Sequence, residues 1–94
     1  GMAKVKVTLT TGTALQFTDG ATEVHVEARN ADQMVKALEA RFPGLGTAIE
    51  QTMSIAIDGV ILPDAFLEKV DEDSEISILP KIGGGKKISN SKTY

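Results

Sequence analysis

The chain has no cysteine, no tryptophan, a single histidine and only 4% aromatic residues across 94 positions. Each shortage excludes something. Without cysteine there is no disulfide framework, no thiolate metal site and no cysteine nucleophile. His25 alone cannot supply the several histidines of a zinc site within one chain. No apolar run approaches the ~20 residues that a membrane-spanning helix needs. Gly1-Met2-Ala3-Lys4 lacks the apolar stretch of a signal peptide, so a cytoplasmic protein is expected. The length leaves room for one small core and excludes a large cofactor enzyme with its own substrate domain.

Positive charge is scarce in the body of the chain. All thirteen acids and seven of the ten bases lie in residues 1–85, a net −6, while Lys86, Lys87 and Lys92 give the last residues +3. An acidic body argues against nucleic acid as a partner, because phosphate repulsion opposes binding. It suits a basic docking surface on another protein, or simply a solvated acidic exterior.

What is present is a series of short alternating segments. Val5, Val7 and Leu9 alternate with Lys4, Lys6 and Thr8, the period of a half-buried strand. Thr11-Gly12-Thr13 breaks the pattern, and Leu15 and Phe17 alternate again, which predicts a short strand or an ordered loop. Thr22 to Ala28 is a second strand with Val24, Val26 and Ala28 on one face. Asn30 followed by Gln33 has the spacing of a capping box, with Asp32 in the first turn. Met34, Val35, Leu38 and Phe42 then recur at helical spacing, so the main helix is placed at about 31–42. Pro43 ends it and Gly44 and Gly46 complete the stop. Leu45 to Gln51 reads as one helical turn or irregular chain.

Ser54 to Asp58 is a strand, Asp58-Gly59 a tight hairpin turn, and Val60-Ile61-Leu62 the return. Ala65-Phe66-Leu67 is a short turn. Glu75 to Leu79 is the last strand, the best candidate for the sheet centre, beside and parallel to the first. The predicted core is Val5, Val7, Val24, Val26, Leu38, Ile55, Ile57, Ile76 and Ile78. One helix across a mixed sheet of four to five strands is an α+β, ubiquitin-like β-grasp, although a ferredoxin-like half gives a similar string. Residues 1–82 form the expected domain and 83–94 a glycine-rich C-terminal tail with an extension.

Three stretches, residues 41–45, 70–80 and 79–85, together resemble the MoaD/ThiS group of small ubiquitin-like sulfur carriers. Arg41-Phe42-Pro43-Gly44-Leu45 resembles the family's aromatic-Pro-Gly-Leu after the helix. Val70 to Pro80 resembles its polar turn leading into the last strand. Leu79-Pro80-Lys81-Ile82-Gly83-Gly84-Gly85 resembles its leucine-proline and diglycine ending. The resemblance implies a protein cosubstrate rather than an enzyme, serving a molybdopterin- or thiamine-type biosynthesis. An E1-like activating enzyme would adenylate the terminal glycine with ATP, and a sulfur donor would convert it to a thiocarboxylate. An acceptor synthase would then receive the sulfur. No cofactor is bound by the carrier itself.

Gly85 is the implied reactive terminus, with Ile82, Gly83 and Gly84 as the stretch that threads into the partners' active sites. Glycine leaves the approach unobstructed and its φ unrestricted. The chain departs from the family in two ways. Thr10 to Gly20 lacks the Leu-Arg stretch usual in the molybdopterin subunit, and residues 86–94 follow the glycines. That extension implies removal by a processing protease before Gly85 has a carboxylate to activate.

Other readings weigh against this one. Three glycines before a basic tail also suit a flexible linker, a binding module that keeps its tail, or a ubiquitin-like modifier joined to a protein lysine. A phosphate loop is excluded, since Pro80 stands where its first glycine belongs and Lys87 replaces Ser or Thr. His25 shares a face with Glu23 and Glu27 and reads as a solvated strand residue. Asp71-Glu72-Asp73 lacks the calcium-loop pattern, and Met34 reads as core.

Overall fold

The computed structural model describes residues 2–81. The chain runs β1 (Ala3–Leu9), α1 (Thr11–Phe17), β2 (Glu23–Ala28), α2 (Ala31–Arg41), α3 (Leu45–Thr52), β3 (Met53–Ile57), β4 (Val60–Leu62), a 3-10 turn (Ala65–Leu67) and β5 (Glu75–Pro80). The strands form one sheet in the order β2-β1-β5-β3-β4. β5 is central, parallel to β1 and antiparallel to β3. β2 and β4 are the two edges, each antiparallel to its neighbour.

Strand alternation sets the register. Val24, Val7, Ile76 and Ile57 are paired across the sheet, and so are Leu9, Ile78, Ile55 and Leu62. A slip of one residue would turn either row to solvent, so the apolar pattern fixes the pairing. Met34, Val35 and Leu38 of α2, with Leu45 and Ile49 of α3, pack into the same core as these strands. Every predicted core residue is buried except Ile57, which is half-buried beside the β3–β4 turn. In that turn Asp58 (φ 52°) and Gly59 (φ 83°) both take the left-handed conformation that a two-residue hairpin requires.

Three segments differ from the sequence reading. Leu15 and Phe17 lie in helix α1, not in a strand or loop. Thr10 caps that helix by accepting the Thr13 N–H at 3.3 Å. The Thr18 hydroxyl lies 2.6 Å from the Ala21 carbonyl and holds the exit. Leu45–Thr52 is a full helix rather than a single turn, so the sheet carries three helices where one main helix was expected. Gly46 lies inside α3 and is not part of the stop after α2. The main helix ends at Arg41, one residue short of the prediction, because Phe42 leaves helical geometry before Pro43. The boundary expected at residues 82 and 83 lies outside the described residues.

Gly46 has a packing reason. A Cβ there would sit 2.7 Å from Glu39 Cβ and 3.2 Å from the Val35 carbonyl oxygen, so α2 and α3 approach as closely as they do because the side chain is absent. Gly12 holds the equivalent second position of α1 and a Cβ there would meet nothing within 4 Å. The same substitution should therefore have opposite signs. Gly12→Ala should raise stability by up to about 1 kcal/mol through helix propensity, whereas Gly46→Ala should lower it despite the same propensity gain. Thermal melts of the two variants check this; a stabilised Gly46→Ala would show that the α2–α3 contact is looser than described.

Candidate functional site

The site that the sequence points to is the end of β5. Its placement follows from the sheet. β5 is hydrogen-bonded on both sides, with Ile76 paired to Val7 and Ile57, and Ile78 to Leu9 and Ile55. Ile76 and Ile78 are buried and anchor the strand. Leu79 pairs with Ser54 and Pro80 with Met53 at the last rung. Pro80 has no N–H to give the ladder, which suits a strand end. The Lys81 N–H then donates to the Thr52 carbonyl at 3.1 Å. The chain is thus held on a rigid central strand up to the residue before Ile82. Ile82, Gly83, Gly84 and Gly85, the predicted site residues, lie outside the described residues, as does the extension 86–94.

The aromatic-Pro-Gly-Leu stretch serves structure at a distance from that end. Gly44 takes φ 96°, a conformation that strains other residues. A Cβ on it would lie 3.2 Å from the Phe17 ring. Leu45 is fully buried. The Glu39 carboxylate reaches from α2 to the start of α3 and accepts the N–H groups of Gly44 at 2.8 Å and Thr47 at 3.2 Å. Those backbone hydrogen bonds, led by Gly44, hold its pKa below the usual carboxylate range despite some opposing desolvation. The pairing of Glu39 with the α3 N-terminus escaped the sequence reading; an acid five residues before Gly44 was the available signal.

The polar turn before β5 is likewise a positioning device. Asp71 Oδ1 accepts the Asp73 N–H at 2.8 Å, and the Ser74 Oγ accepts the Asp71 N–H at 2.9 Å. Asp58 at the hairpin tip then clamps the first residue of β5. Its N–H donates to the Glu75 carbonyl at 2.8 Å, and its Oδ1 accepts the Glu75 N–H at 2.9 Å. Asp71 and Asp58 thus serve the turns that lead into β5. Among the described residues no cluster of His, Asp or Glu could hold a metal ion.

His25 lies on the exposed side of β2, 3.9 Å from a Glu23 carboxylate oxygen. Its carbonyl accepts from the Arg41 guanidinium at 2.6 Å. Arg41 also lies over the Phe42 ring at 5.0 Å, a cation–π contact. The arginine ties the end of α2 to edge strand β2.

One cavity adjoins the strand end. It has a volume of about 300 Å³ and lies between α3, the β3–β4 hairpin and the 3-10 turn. Ile49, Met53, Ile55, Ile61, Leu62 and Phe66 make it apolar, with Glu50 and Lys81 among its polar lining groups. Sequence periodicity does not announce such a groove, because it forms where three separate elements meet.

A mixed five-stranded sheet in the order β2-β1-β5-β3-β4, packed against helices, defines the class: a small ubiquitin-like β-grasp protein. The sequence model of the ThiS family matches residues 11–85, and the chain belongs to that family. A search of curated protein sequences gave no match. The solution structure of small archaeal modifier protein 1 from Methanosarcina acetivorans is similar at a TM-score of 0.73 and 23% identity, covering 90% of this chain and 99% of that one. The BexX/CysO complex of Amycolatopsis orientalis contains a chain matched at TM-score 0.73 and 17% identity, over 86% of this chain and 99% of that one. The Haloferax volcanii HVO 2177 protein matches at TM-score 0.71 and 14% identity, over 90% and 89% of the two chains. At these identities the likenesses establish the fold. Family and fold together describe a small ubiquitin-like protein of the ThiS family. Among the described residues no helix is long and apolar enough to cross a membrane.

Proposed function

We propose that the protein is a cytoplasmic sulfur carrier, consumed and regenerated as a cosubstrate and not itself an enzyme. Residues 86–94 are removed by a protease. The freed Gly85 carboxylate attacks the α-phosphorus of ATP in the active site of an E1-like enzyme, displacing pyrophosphate. A sulfide-equivalent donor then attacks the acyl carbon, AMP leaves, and a thiocarboxylate remains. Ile82, Gly83 and Gly84 are the narrow stretch that carries it into the active site of an acceptor synthase, in a pathway of the thiamine or molybdopterin type. The reading needs no bound cofactor, since ATP belongs to the activating enzyme.

One observation carries the proposal. The family match runs to Gly85 and stops there. The match therefore takes in Ile82 to Gly85 and leaves out the basic extension. CysO occurs in a complex with BexX, which supports docking onto a second protein. The likeness to a modifier protein favours a second reading, in which Gly85 is joined to a protein lysine.

Intact-mass measurement of the protein from its native host separates the possibilities. The expected mass is that of a chain ending at Gly85, partly increased by the exchange of one oxygen for sulfur. An isopeptide adduct would favour the modifier, and a chain retaining 86–94 throughout would favour a binding module.

A further inference from the structure

Strand β2 ends the sheet with one long side unpaired. We infer that this edge is built to pair with the same edge of a second copy, and that the Arg41 side chain, by occupying it, holds the chain as a monomer.

The phase of the β1–β2 ladder decides which backbone groups are free. The Leu9 N–H donates to the Thr22 carbonyl at 2.8 Å, and bonded pairs alternate with non-bonded ones along an antiparallel ladder. Val24 opposite Val7 and Val26 opposite Val5 therefore spend their backbone groups on β1. The N–H and C=O of Glu23, His25 and Glu27 point away from the sheet. A row of free groups on an edge strand is a template for another strand. Arg41 stands across it. Its guanidinium donates to the His25 carbonyl, the middle one of the three, at 2.6 Å, and is steadied over the Phe42 ring at 5.0 Å. Just past the strand, the Arg29 N–H is taken by the Gln33 side-chain oxygen at 2.8 Å, so the open edge is confined to β2.

Shape and charge make a second copy the fitting occupant. The groove between β2 and α2 has a volume of about 380 Å³ and is lined by Val26, Ala37 and Ala40, with Arg41 at the same place. The small alanines of α2 leave room beside the edge for the side chains of an added strand. Charge then selects the register. Two copies paired about His25 would set Glu23 of each against Glu27 of the other, and like charges directly opposite are destabilising. Pairing about Val24 leaves Glu27 facing Ala21. Pairing about Val26 sets His25, which can donate a hydrogen bond, opposite Glu27, and takes Glu23 out to Arg29. It also places Val26 against Val26 and Val24 against Ala28 on the apolar face. The arrangement is two-fold and self-complementary, as an isologous dimer requires. Half of its ladder bonds end on a His25 carbonyl, and those are the bonds that Arg41 forecloses.

Sedimentation of the full chain and of its Arg41→Ala variant over a wide concentration range provides the test. Arg41 is exposed, so the variant should keep the fold. The parent chain should sediment as a monomer throughout, and Arg41→Ala should pass from monomer to dimer as concentration rises. Removing a base from a body of net −6 adds to repulsion between copies, so charge alone would drive the result the other way. Arg41→Met, which keeps the stem beside Phe42 and removes the donors, should behave like Arg41→Ala. Amide exchange at His25 and Glu27 should slow several-fold on dimerisation, while Val24 and Val26, already bonded to β1, change little. Adding His25→Pro to Arg41→Ala should restore the monomer, because proline removes an outward N–H and takes nothing from the β1 ladder. Arg41 variants that stay monomeric at every concentration would overturn the inference. So would a dimer that leaves the His25 and Glu27 amides unprotected, or a parent chain that dimerises as tightly as its variants.

Discussion

A chain ending at Gly85 should be adenylated by the cognate E1-like enzyme in the presence of ATP, while the full chain should not. The difference should be close to all-or-none, because in the full chain Gly85 sits in a peptide bond to Lys86 and has no carboxylate to offer the α-phosphorus. A chain ending at Gly84 is the informative third form. Its terminus is also a glycine, so it preserves the chemistry and changes only the reach. One residue shortens an extended segment by about 3.3–3.6 Å. β5 and the Lys81–Thr52 hydrogen bond hold the root of the segment fixed, which leaves little slack upstream to make up that distance. A misplacement of this size at a reacting centre costs orders of magnitude in rate. Pyrophosphate release measured for the three forms should therefore rank Gly85 far above Gly84, with the full chain at background. Thiocarboxylation of the full chain without prior cleavage would defeat the carrier reading, as would a Gly85 form inert with every activating enzyme of the host.

Leu38→Ala should destabilise the domain severely by emptying a filled core site. Leu38 is completely buried on α2, in the core shared with the strands and α3. Removing its side chain forfeits the transfer free energy of three carbons and leaves a cavity that rigid sheet rows cannot fill. The cost for such sites is about 2–5 kcal/mol. In a domain of this size each kcal/mol lowers the melting temperature by about 4–8 °C. Denaturant unfolding of the variant should show a lower midpoint with an unchanged slope. A loss below about half a kcal/mol, against the 2–5 expected of a filled site, would mean that α2 presents a different face to the sheet.

The strands were legible because their signal is local. Val5-Lys6-Val7 or Ile76-Ser77-Ile78 can be read without knowing what lies opposite, and the pairing then follows from which faces need burial. α2 was legible for the same reason, with Asn30 accepting the Gln33 N–H at 2.8 Å as its spacing announced. α1 was not. Its seven residues give barely two turns, too few for a helical period to show, and exposed Leu15 with half-buried Phe17 mimics alternation. α3 was obscured by Gly46, which looked like a stop and is instead a contact point for Glu39. Of the candidate site, the strand leading to it was legible from the alternation of Ile76 and Ile78. The groove beside that strand was not legible, because its walls come from residues 49–66 and Lys81 and meet only in the folded chain.

The central position of β5 also has a mechanical meaning. Under the proposed function, an enzyme that drew the segment after β5 into a channel would pull along the axis of a strand bonded to β1 on one side and β3 on the other. Tension in that direction loads the strand's hydrogen bonds in shear, so they must yield together and cannot peel one at a time as they would on an edge strand. The body can then act as a stop, arresting the thread at a fixed depth. A pull on β5 would then be borne by the whole sheet rather than by one edge.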